Sequence, residues 1–376
     1  MEYAKLQDKC RGSLVGGAVG DALGYEVEFM SLSSIIKRFG DKGITRYVLH
    51  NGVAEFSDDT QMTLFTAEGL MNGIIATKAG RPDAILPYIK EANLAWFKTQ
   101  TEAPKPVAGS WLSNVKTLWS RRAPGNTCMG ALENLSHGLE VSNNSKGCGG
   151  VMRVAPIGIF NGVHRNLYDY EDTAHLAGWA AEITHKHIAS TLASALMATT
   201  VENCIQDEKV DRTIFGWIID GGLSLMREYF PGHDDELREF INLMKRAMEL
   251  GKSDVPERQA IRELGEGWVG DEALAIAIFS VMRHIDNFED CIVCAVNHDG
   301  DSDSTGAIAG DIIGAILGYS SIPRHYLDNL EIEPVIVSVA DDLCADVKVR
   351  EVNIRVGDRY VKHLPEAVDK DYLVTK

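Results

Sequence analysis

Two short stretches, far apart in the chain, carry residue types that suit a hard metal ion. The first is Ser57-Asp58-Asp59-Thr60, and the second spans residues 299–305, Asp-Gly-Asp-Ser-Asp-Ser-Thr. A helical pattern follows each stretch, so the carboxylates and hydroxyls stand at predicted helix N-termini, where negative charge is favourable. Oxygen donors of this kind favour Mg²⁺ or Mn²⁺. We expect the two stretches to close on one metal site that orients hydroxyls and activates water, with room for a pair of ions.

Two other metal sites match these stretches poorly. An EF-hand loop counted from Asp299 would place Ser304 where glycine is required and Gly310 where glutamate is required. Zinc is disfavoured because neither stretch contains a cysteine and the only adjacent histidine is His298. An Asp-Asp pair at a helix start is more often a cap than a ligand, but two clusters with interleaved hydroxyls favour a site.

The helices that must position these acids share an unusual glycine pattern. Glycine recurs every fourth residue in a predicted helix over residues 10–30 and again after the second acidic stretch, at Gly12, Gly16, Gly20, Gly24, Gly306, Gly310, Gly314 and Gly318. Each glycine costs a helix about 1 kcal/mol relative to alanine, so close approach of another backbone is the expected compensation. We predict that both helices pack closely in the core, and pairing with each other would bring the chain ends together. Asp21 and Glu28 share a face if the first helix continues.

The rest of the chain is predicted to be mainly helical. We expect helices over residues 81–99, 170–205, 213–250 and 287–297, and a buried helix after the Gly265–Gly270 segment. Residues 123–150 are predicted to be loop-rich and end in the glycine-rich segment Gly147–Val151, a weak candidate phosphate cradle. No linker divides residues 1–340, which we predict to be one domain. Residues 341–376 are predicted to be a tail with short strands.

Composition limits the partners. The 376 residues include 45% hydrophobic and 24% charged residues and carry a formal net charge of −17, which argues against nucleic acid and membrane surfaces. We find no signal peptide and no apolar run of membrane-spanning length. Of the seven cysteines only Cys291 and Cys294 are close, without a histidine arrangement beside them, and we interpret them as buried small hydrophobic residues. A reducing cytoplasm is the expected location.

Six ordered motifs resemble the ADP-ribosylglycohydrolase family, which includes dinitrogenase reductase-activating glycohydrolase and the ADP-ribosylarginine and ADP-ribosylserine hydrolases. The resemblance covers roughly residues 10–340. Its motifs are Gly16–Glu28 (GGAVGDALGYEVE), Phe56–Leu64 (FSDDTQMTL), Gly147–Gly158 (GCGGVMRVAPIG), Thr184-His185, Gly265–Ala277 (GEGWVGDEALAIA) and His298–Gly318 (HDGDSDSTGAIAGDIIGAILG). It implies an all-α fold, a single large orthogonal multi-helix domain with a dinuclear Mg²⁺ or Mn²⁺ site at its centre.

The resemblance also assigns residues to roles. The implied metal ligands are Ser57, Asp58, Asp59, Asp301, Asp303 and Ser304, and Asp299 becomes a neighbour of the ligands. Glu28 matches a glutamate over the substrate ribose, and Asp21 matches a motif position whose role is structural. The implied substrate-binding residues are Glu28, Gly147, Cys148, Gly149, Gly150, Val151 and His185. The two implied catalytic residues are Asp301, which orients or deprotonates the water, and Glu28, the competing assignment.

The function implied by the resemblance is hydrolysis of an ADP-ribosyl–protein bond, first of all the N-glycosidic bond to arginine. Hydrolysis of O-linked ADP-ribose or of a free ADP-ribosyl metabolite at the same site is a second possibility. A third is a non-catalytic, occluding binding protein, against which the intact set of acids argues. The expected partner is an ADP-ribosylated protein or ADP-ribose, and the expected state is a monomer or weak oligomer.

Overall fold

Helices form all of the regular secondary structure in residues 1–78, 85–164 and 172–345, the part of the chain described by the computed structural model. The first eight helices in chain order are α1 (Tyr3–Tyr25), α2 (Leu32–Phe39), α3 (Asp58–Lys78), α4 (Ile85–Thr101), α5 (Asn126–Ser136), α6 (Ala155–His164), α7 (Thr173–Glu182) and α8 (Ile188–Gln206). The next eight are α9 (Arg212–Tyr229), α10 (Asp234–Lys252), α11 (Glu257–Leu264), α12 (Gly270–Arg283), α13 (Phe288–Val296), α14 (Ser302–Leu317), α15 (Arg324–Leu327) and α16 (Glu333–Cys344). Within these residues pairing of extended chain is limited to isolated bridges, so the all-α prediction is confirmed.

The two glycine-striped helices, α1 and α14, pack against each other and share the most extensive helix–helix interface in the described chain. A Cβ atom added at Gly16 would lie 2.5 Å from the main-chain oxygen of Gly310, and one added at Gly306 would lie 2.5 Å from that of Gly20. The Ser13 hydroxyl also donates to the Asp311 carbonyl across the interface (2.9 Å). The predicted close packing is confirmed, and it joins segments almost 300 residues apart.

Around this pair lies a core of helices that are buried on nearly every side. In α3 all residues from Asp58 to Ala76 are buried, and in α12 all from Ala273 to Met282 are buried. These sequences lack an amphipathic stripe because every face contacts protein. The outer helices are different: α10 and α11 bury one face and expose acidic and basic residues on the other.

One core helix corrects a sequence prediction. The helix α8 (Ile188–Gln206) is long and apolar enough to cross a membrane, with a mean hydropathy of 1.2 in an 18-residue window, although no run of that length was predicted. However, 83% of that window is buried inside the molecule, as in the core helix of a globular protein.

The helix predicted over residues 10–30 ends earlier, at Tyr25. Two turns follow, in which the Val27 N–H donates to the Gly24 carbonyl (2.9 Å) and the Met30 N–H to the Val27 carbonyl (2.8 Å). They bury the Val27 side chain completely. Glu28 therefore does not share a helical face with Asp21, and the change of chain direction places it in the site described below.

Several other boundaries differ from prediction. The loop-rich segment 123–150 contains α5, which buries Cys128, Ala131 and Leu132 at helical spacing, a pattern obscured by the polar residues around it. The predicted helix over 170–205 is interrupted between α7 and α8. The first residues of the helix predicted over 81–99 fall in 79–84, outside the described residues. The predicted strands beyond residue 345 also lie outside them, whereas residues 341–344 complete α16.

Candidate metal centre

The first acidic stretch is held in place by a buried carboxylate of α1. Asp21 is fully buried and accepts hydrogen bonds from the Ser57 N–H (2.8 Å), the Thr60 N–H (2.9 Å) and the Thr60 hydroxyl (2.5 Å). The Ser57 hydroxyl accepts from the Asp59 N–H (3.2 Å) and lies 3.1 Å from an Asp59 carboxylate oxygen. Asp21 thus caps α3, so the Asp58 and Asp59 carboxylates are not needed to satisfy its first N–H groups.

The second acidic stretch forms the N-terminus of α14. Asp301 is the N-cap residue, and its Oδ1 accepts from the Ser304 N–H (3.3 Å), which also donates to Asp303 Oδ1 (3.0 Å). The preceding Gly300 has a φ of +159° and packs against the Glu266 carbonyl, which accepts from the Asp301 N–H (2.9 Å). This turn directs the Asp301 and Asp303 side chains toward the start of α3.

Three carboxylates from two distant segments of the chain meet at this point. One carboxylate oxygen from each of Glu28, Asp301 and Asp303 lies within 4.8 Å of the other two, and all three residues are buried. Asp58 and Asp59 are also buried, and their charges act on Glu28, Asp301 and Asp303. Asp58 keeps a partner on its far side, where Oδ2 accepts from the Gly125 N–H (3.1 Å). The two stretches predicted to converge therefore do so, with Glu28 beside them.

The electrostatics of this cluster favour a bound cation. Burial, followed by the charges of neighbouring acids, raises the pKa of Glu28 to about 8. Burial likewise raises the pKa of Asp58 to about 8, and the pKa values of Asp59 and Asp303 lie well above the usual range. Two buried oxygens, Glu28 Oε2 and Asp59 Oδ1, have no hydrogen-bond partner among the residues that the structure describes. Divalent cations would relieve both the repulsion and the missing partners, so the donor set fits Mg²⁺ or Mn²⁺.

The glycine-rich segment lies directly against the acids. Its residues Cys148–Arg153 form a 3₁₀ turn, and Gly147 forms an antiparallel bridge with Val269. The Cys148 thiol donates to Asp301 Oδ2 (2.8 Å). Gly149 and Gly150 are buried, and the Val151 side chain is fully buried. The main chain here borders the cluster, and Val151 can contact a ligand only through its main chain.

His185 lies behind the glycine-rich segment, in the break between α7 and α8. A Cβ atom at Gly147 would be 3.2 Å from its Nε2, and one at Gly149 would be 2.8 Å from its Cε1, so the ring backs both glycines. Its Nδ1 lies 2.9 Å from the Thr184 hydroxyl. Burial and the charge of Arg153 lower the pKa of His185 to about 3, which keeps the imidazole neutral.

Two features of the site were not predicted from the sequence. Arg153 is fully buried and donates to the Thr184 hydroxyl (2.7 Å) and the Ala180 carbonyl (3.1 Å), which ties the glycine-rich segment to α7. Phe29 and Trp268 expose 76% and 40% of their surface beside the acids and stack with a centroid distance of 6.0 Å and an interplanar angle of 19°. Arg153 had a local signal, a charge inside an otherwise apolar run, whereas the aromatic pair joins two distant segments.

A cavity of about 810 Å³ adjoins the site on the Trp268 side. It is lined by the Lys146 side chain, which precedes Gly147, and by Arg258 and Arg262 of α11. Glu266, Glu272 and Asp299 also line it, so its walls carry both signs of charge. The volume lies within the range of small-molecule sites, roughly 300–1,000 Å³.

Comparisons with known proteins identify several ADP-ribosyl hydrolases to which this chain is similar. The chain is similar to an ADP-ribosylarginine hydrolase of Serratia proteamaculans, with 28% identity over 89% of this chain and 79% of that protein. It is also similar to the glycohydrolase of ADP-ribosyl-dinitrogen reductase from Rhodospirillum rubrum, with 24% identity over 89% of this chain and 94% of that protein. The ADP-ribosylhydrolase ARH3 of Gallus gallus has 24% identity over 85% of this chain and 88% of that protein.

A solved structure, described as an ADP-ribosylglycohydrolase-related protein complex, shares the fold. Its TM-score is 0.59 at 23% identity, covering 91% of this chain and 98% of that chain. The sequence pattern of the ADP-ribosylglycohydrolase family matches residues 2–353, nearly the whole length of the chain. The chain therefore belongs to the ADP-ribosylglycohydrolase family, a family of hydrolases that remove ADP-ribose.

Proposed function

We propose that this protein is a metal-dependent hydrolase that removes ADP-ribose from modified protein side chains by cleaving the N-glycosidic bond to arginine. The observation that carries the proposal is the meeting of Glu28, Asp301 and Asp303 beside the glycine-rich segment. The arginine linkage is supported by the similarity to an ADP-ribosylarginine hydrolase at 28% identity. The proposed partner is an ADP-ribosylated protein, and the proposed state of the enzyme is a monomer or weak oligomer. A cytoplasmic location is proposed because the seven cysteines form no disulfide, as expected in a reducing compartment.

The proposed metal ligands provide two sets of oxygens that face each other. The set at the start of α3 is Ser57, Asp58 and Asp59, and the set at the start of α14 is Asp301, Asp303 and Ser304. Two Mg²⁺ or Mn²⁺ ions, when bound, would supply Lewis acidity to the ribose hydroxyls and to water. The unpartnered Asp59 Oδ1 supports this assignment, because a buried carboxylate oxygen without a donor is costly.

The protein groups around the reacting carbon have separable tasks. Asp301 is proposed to orient the attacking water and to take its proton through a carboxylate oxygen. Its Oδ2 is already fixed by the Cys148 thiol, which holds the carboxylate in one orientation. Glu28 is the competing assignment and lies within 4.8 Å of the Asp301 carboxylate. Cleavage of a glycosidic bond develops positive charge on the ribose, which this concentration of carboxylates would stabilise.

The remaining substrate is proposed to extend from the acids along the glycine-rich segment. The distal ribose and diphosphate would bind the main chain of this segment, at Gly147, Cys148, Gly149, Gly150 and Val151. The neutral His185 ring would support Gly147 and Gly149 from behind. Glycine is required at position 149, because a Cβ atom there would collide with the His185 ring and the Cys128 sulfur. The cavity beyond Lys146 is large enough for the adenosine end.

A second candidate is hydrolysis of O-linked ADP-ribose or of a free ADP-ribosyl metabolite. It is supported by the ADP-ribosylhydrolase ARH3 of Gallus gallus, whose name specifies no linkage and whose identity of 24% is close to that of the arginine hydrolase. A non-catalytic binding role is the third candidate, and the complete set of acids argues against it.

Incubation of the protein with arginine-linked and serine-linked ADP-ribosyl peptides, with Mg²⁺ or Mn²⁺, separates these candidates. We expect release of ADP-ribose from the arginine peptide at a higher kcat/KM than from the serine peptide. A preference for serine would support the second candidate. Tight binding of either peptide without release would support the binding role and contradict the hydrolase.

A further inference from the structure

A second cluster of possible metal ligands lies away from the acids, where three helices meet. Glu257 is the first residue of α11, His284 directly follows α12, and Cys294 belongs to α13. One ligand atom from each of the three lies within 4.8 Å of the other two. The opposite end of α12, Gly270, borders the glycine-rich segment, and the 14 residues of that helix span about 20 Å. The two clusters are therefore separate sites.

The donors of this cluster differ in kind from those of the acids. The Glu257 carboxylate and the His284 Nε2 are 2.9 Å apart and form a partly exposed pair, with 43% and 20% of their side chains exposed. Cys294 is 4% exposed, and its sulfur accepts from the Ser280 hydroxyl at 3.6 Å. An ion pair accounts for the contact between Glu257 and His284. It does not account for the Cys294 thiol beside the same carboxylate.

The combination of thiol, imidazole and carboxylate is a ligand set for a borderline metal. Zn²⁺ takes Cys, His and Glu ligands in tetrahedral geometry, and three protein ligands leave a fourth position for water. Mg²⁺ prefers oxygen donors only. The exposed edges of Glu257 and His284 leave a path for the ion to enter, and the buried sulfur forms the floor of the site. We propose that Glu257, His284 and Cys294 form a second, zinc-type metal site, independent of the catalytic one.

The positive charge of Arg283 opposes binding of a cation at this cluster. Arg283 acts electrostatically on both Glu257 and Cys294. Its guanidinium donates to the Leu250 carbonyl (2.7 Å) and the Val255 carbonyl (3.1 Å), so it is held by the main chain on that side. The ion must also displace the thiol proton of Cys294, whose pKa is raised by burial, so binding releases a proton and weakens as the pH falls.

Cd²⁺ is the probe for this site, because a cadmium–thiolate bond absorbs in the ultraviolet and cadmium occupies zinc sites. The protein is first saturated with Mg²⁺ to fill the acidic centre and is then titrated with Cd²⁺. We expect a thiolate absorption band that saturates at one ion per chain. Cys294→Ser should abolish the band, and Cys148→Ser, which removes the thiol beside Asp301, should preserve it.

His284→Gln provides a second variant at a partly exposed position, in case Cys294→Ser disturbs folding, which circular dichroism would report. Loss of the imidazole should weaken Cd²⁺ binding by about tenfold or more. The proposal is overturned if the wild type shows no band, if the band persists in Cys294→Ser, or if His284→Gln binds with unchanged affinity. None of these readouts depends on hydrolysis, so the result is independent of the proposed function.

Discussion

The acidic centre and the Glu257–His284–Cys294 cluster are built in opposite ways. The acidic centre contains five buried carboxylates, those of Glu28, Asp58, Asp59, Asp301 and Asp303. Among the described residues, the groups that most affect their pKa values are neighbouring acids and hydrogen-bond donors, not cationic side chains. In the second cluster, the Glu257 carboxylate already has His284 as a partner, which lowers its pKa. The first arrangement is costly without an added cation, whereas the second is stable without one. An ion should therefore be essential to the first and optional in the second.

The two regions also differ in what supports them. The acidic centre depends on contacts between residues hundreds of positions apart, above all the backbone contact of α1 with α14. The second cluster is formed by helices that follow one another from Glu257 to Val296. Changes in the α1–α14 interface should accordingly damage the acidic centre and leave the second cluster intact.

The largest expected effect is that of Asp301→Asn. The amide cannot accept the proton of the attacking water and provides a weaker metal ligand, so kcat should fall by about 1,000-fold or more. Circular dichroism and the unfolding midpoint should change little, because the oxygen of the asparagine side chain can still accept the Ser304 N–H. The measurement is initial-rate release of ADP-ribose from an arginine-linked peptide.

Asp299→Asn is the matched control for that variant. Asp299 is exposed and accepts from the Leu32 N–H through one oxygen (2.7 Å), which an asparagine retains. Asp299 is outside the proposed ligand set and only lines the neighbouring cavity, so kcat should stay within about twofold of wild type and any change should appear in KM. Near-normal hydrolysis by Asp301→Asn would remove the assignment of Asp301 as the residue that activates water.

Gly20→Ala tests the support of the acidic centre. The added methyl would collide with the Gly306 carbonyl, and overpacking of this kind costs about 1–3 kcal/mol of unfolding free energy. Hydrolysis should fall as well, because Asp21 and Glu28 would shift relative to α14, while Cd²⁺ binding at Cys294 should persist. Urea unfolding and the peptide assay measure the two effects.

Gly221→Ala is the control for a glycine without such a contact. It lies inside α9, and no atom of the described part of the chain is within 4 Å of an added Cβ atom. Alanine favours helix by about 1 kcal/mol over glycine, so this variant should be unchanged or more stable. If both alanine variants gained stability, the account of the α1–α14 contact would be wrong.

Cys148→Ala should have a smaller effect. Asp301 Oδ2 would lose the thiol donor that orients it. A thiol is a weak donor, so we expect a loss of about 0.5–1.5 kcal/mol, equivalent to a roughly two- to tenfold fall in kcat/KM. Cys148→Ser retains a donor and should recover part of the loss. Equal activity of the alanine and serine variants would show that the thiol does not position Asp301.

The smallest effect is expected for Cys294→Ser in the hydrolysis assay. Because the second cluster is separate from the acids, kcat/KM with Mg²⁺ should remain within about twofold of wild type, as for distant, independent sites. A large loss of activity in a folded variant would show that the two regions are coupled.

Much of the acidic centre was predictable because its signals are local. The acids at Asp58 and Asp301 stand beside helix starts, and the four-residue glycine spacing marks helices that approach closely, which indicated the pairing of α1 with α14. The end of α1 was not predictable in this way. Its sequence continues a helical pattern past Tyr25, and burial of Val27, a tertiary effect, turns the chain.

No local sequence pattern predicts the second cluster. Glu257, His284 and Cys294 are separated by 27 and 10 positions, as the sequence numbering shows, and belong to three different elements. Cys294 was interpreted as a buried hydrophobic residue, which its burial supports, but its neighbours depend on how α11, α12 and α13 pack. The segment at His185 is similar: the predicted helix over 170–205 ran through Thr184-His185-Lys186-His187, whereas in the structure the helix breaks there and Arg153 binds the Thr184 hydroxyl.

Metal dependence of hydrolysis can be tested by following metal binding and ADP-ribose release in one titration. Chelator-treated protein is titrated with Mn²⁺, the free ion is counted by electron paramagnetic resonance, and ADP-ribose release from the arginine-linked peptide is measured at each point. We expect two bound ions per chain, with ADP-ribose release appearing as they bind, and loss of both binding and release in a variant with Asp59→Asn and Asp303→Asn. Full release without an ion, or unchanged Mn²⁺ binding in that variant, would contradict this expectation.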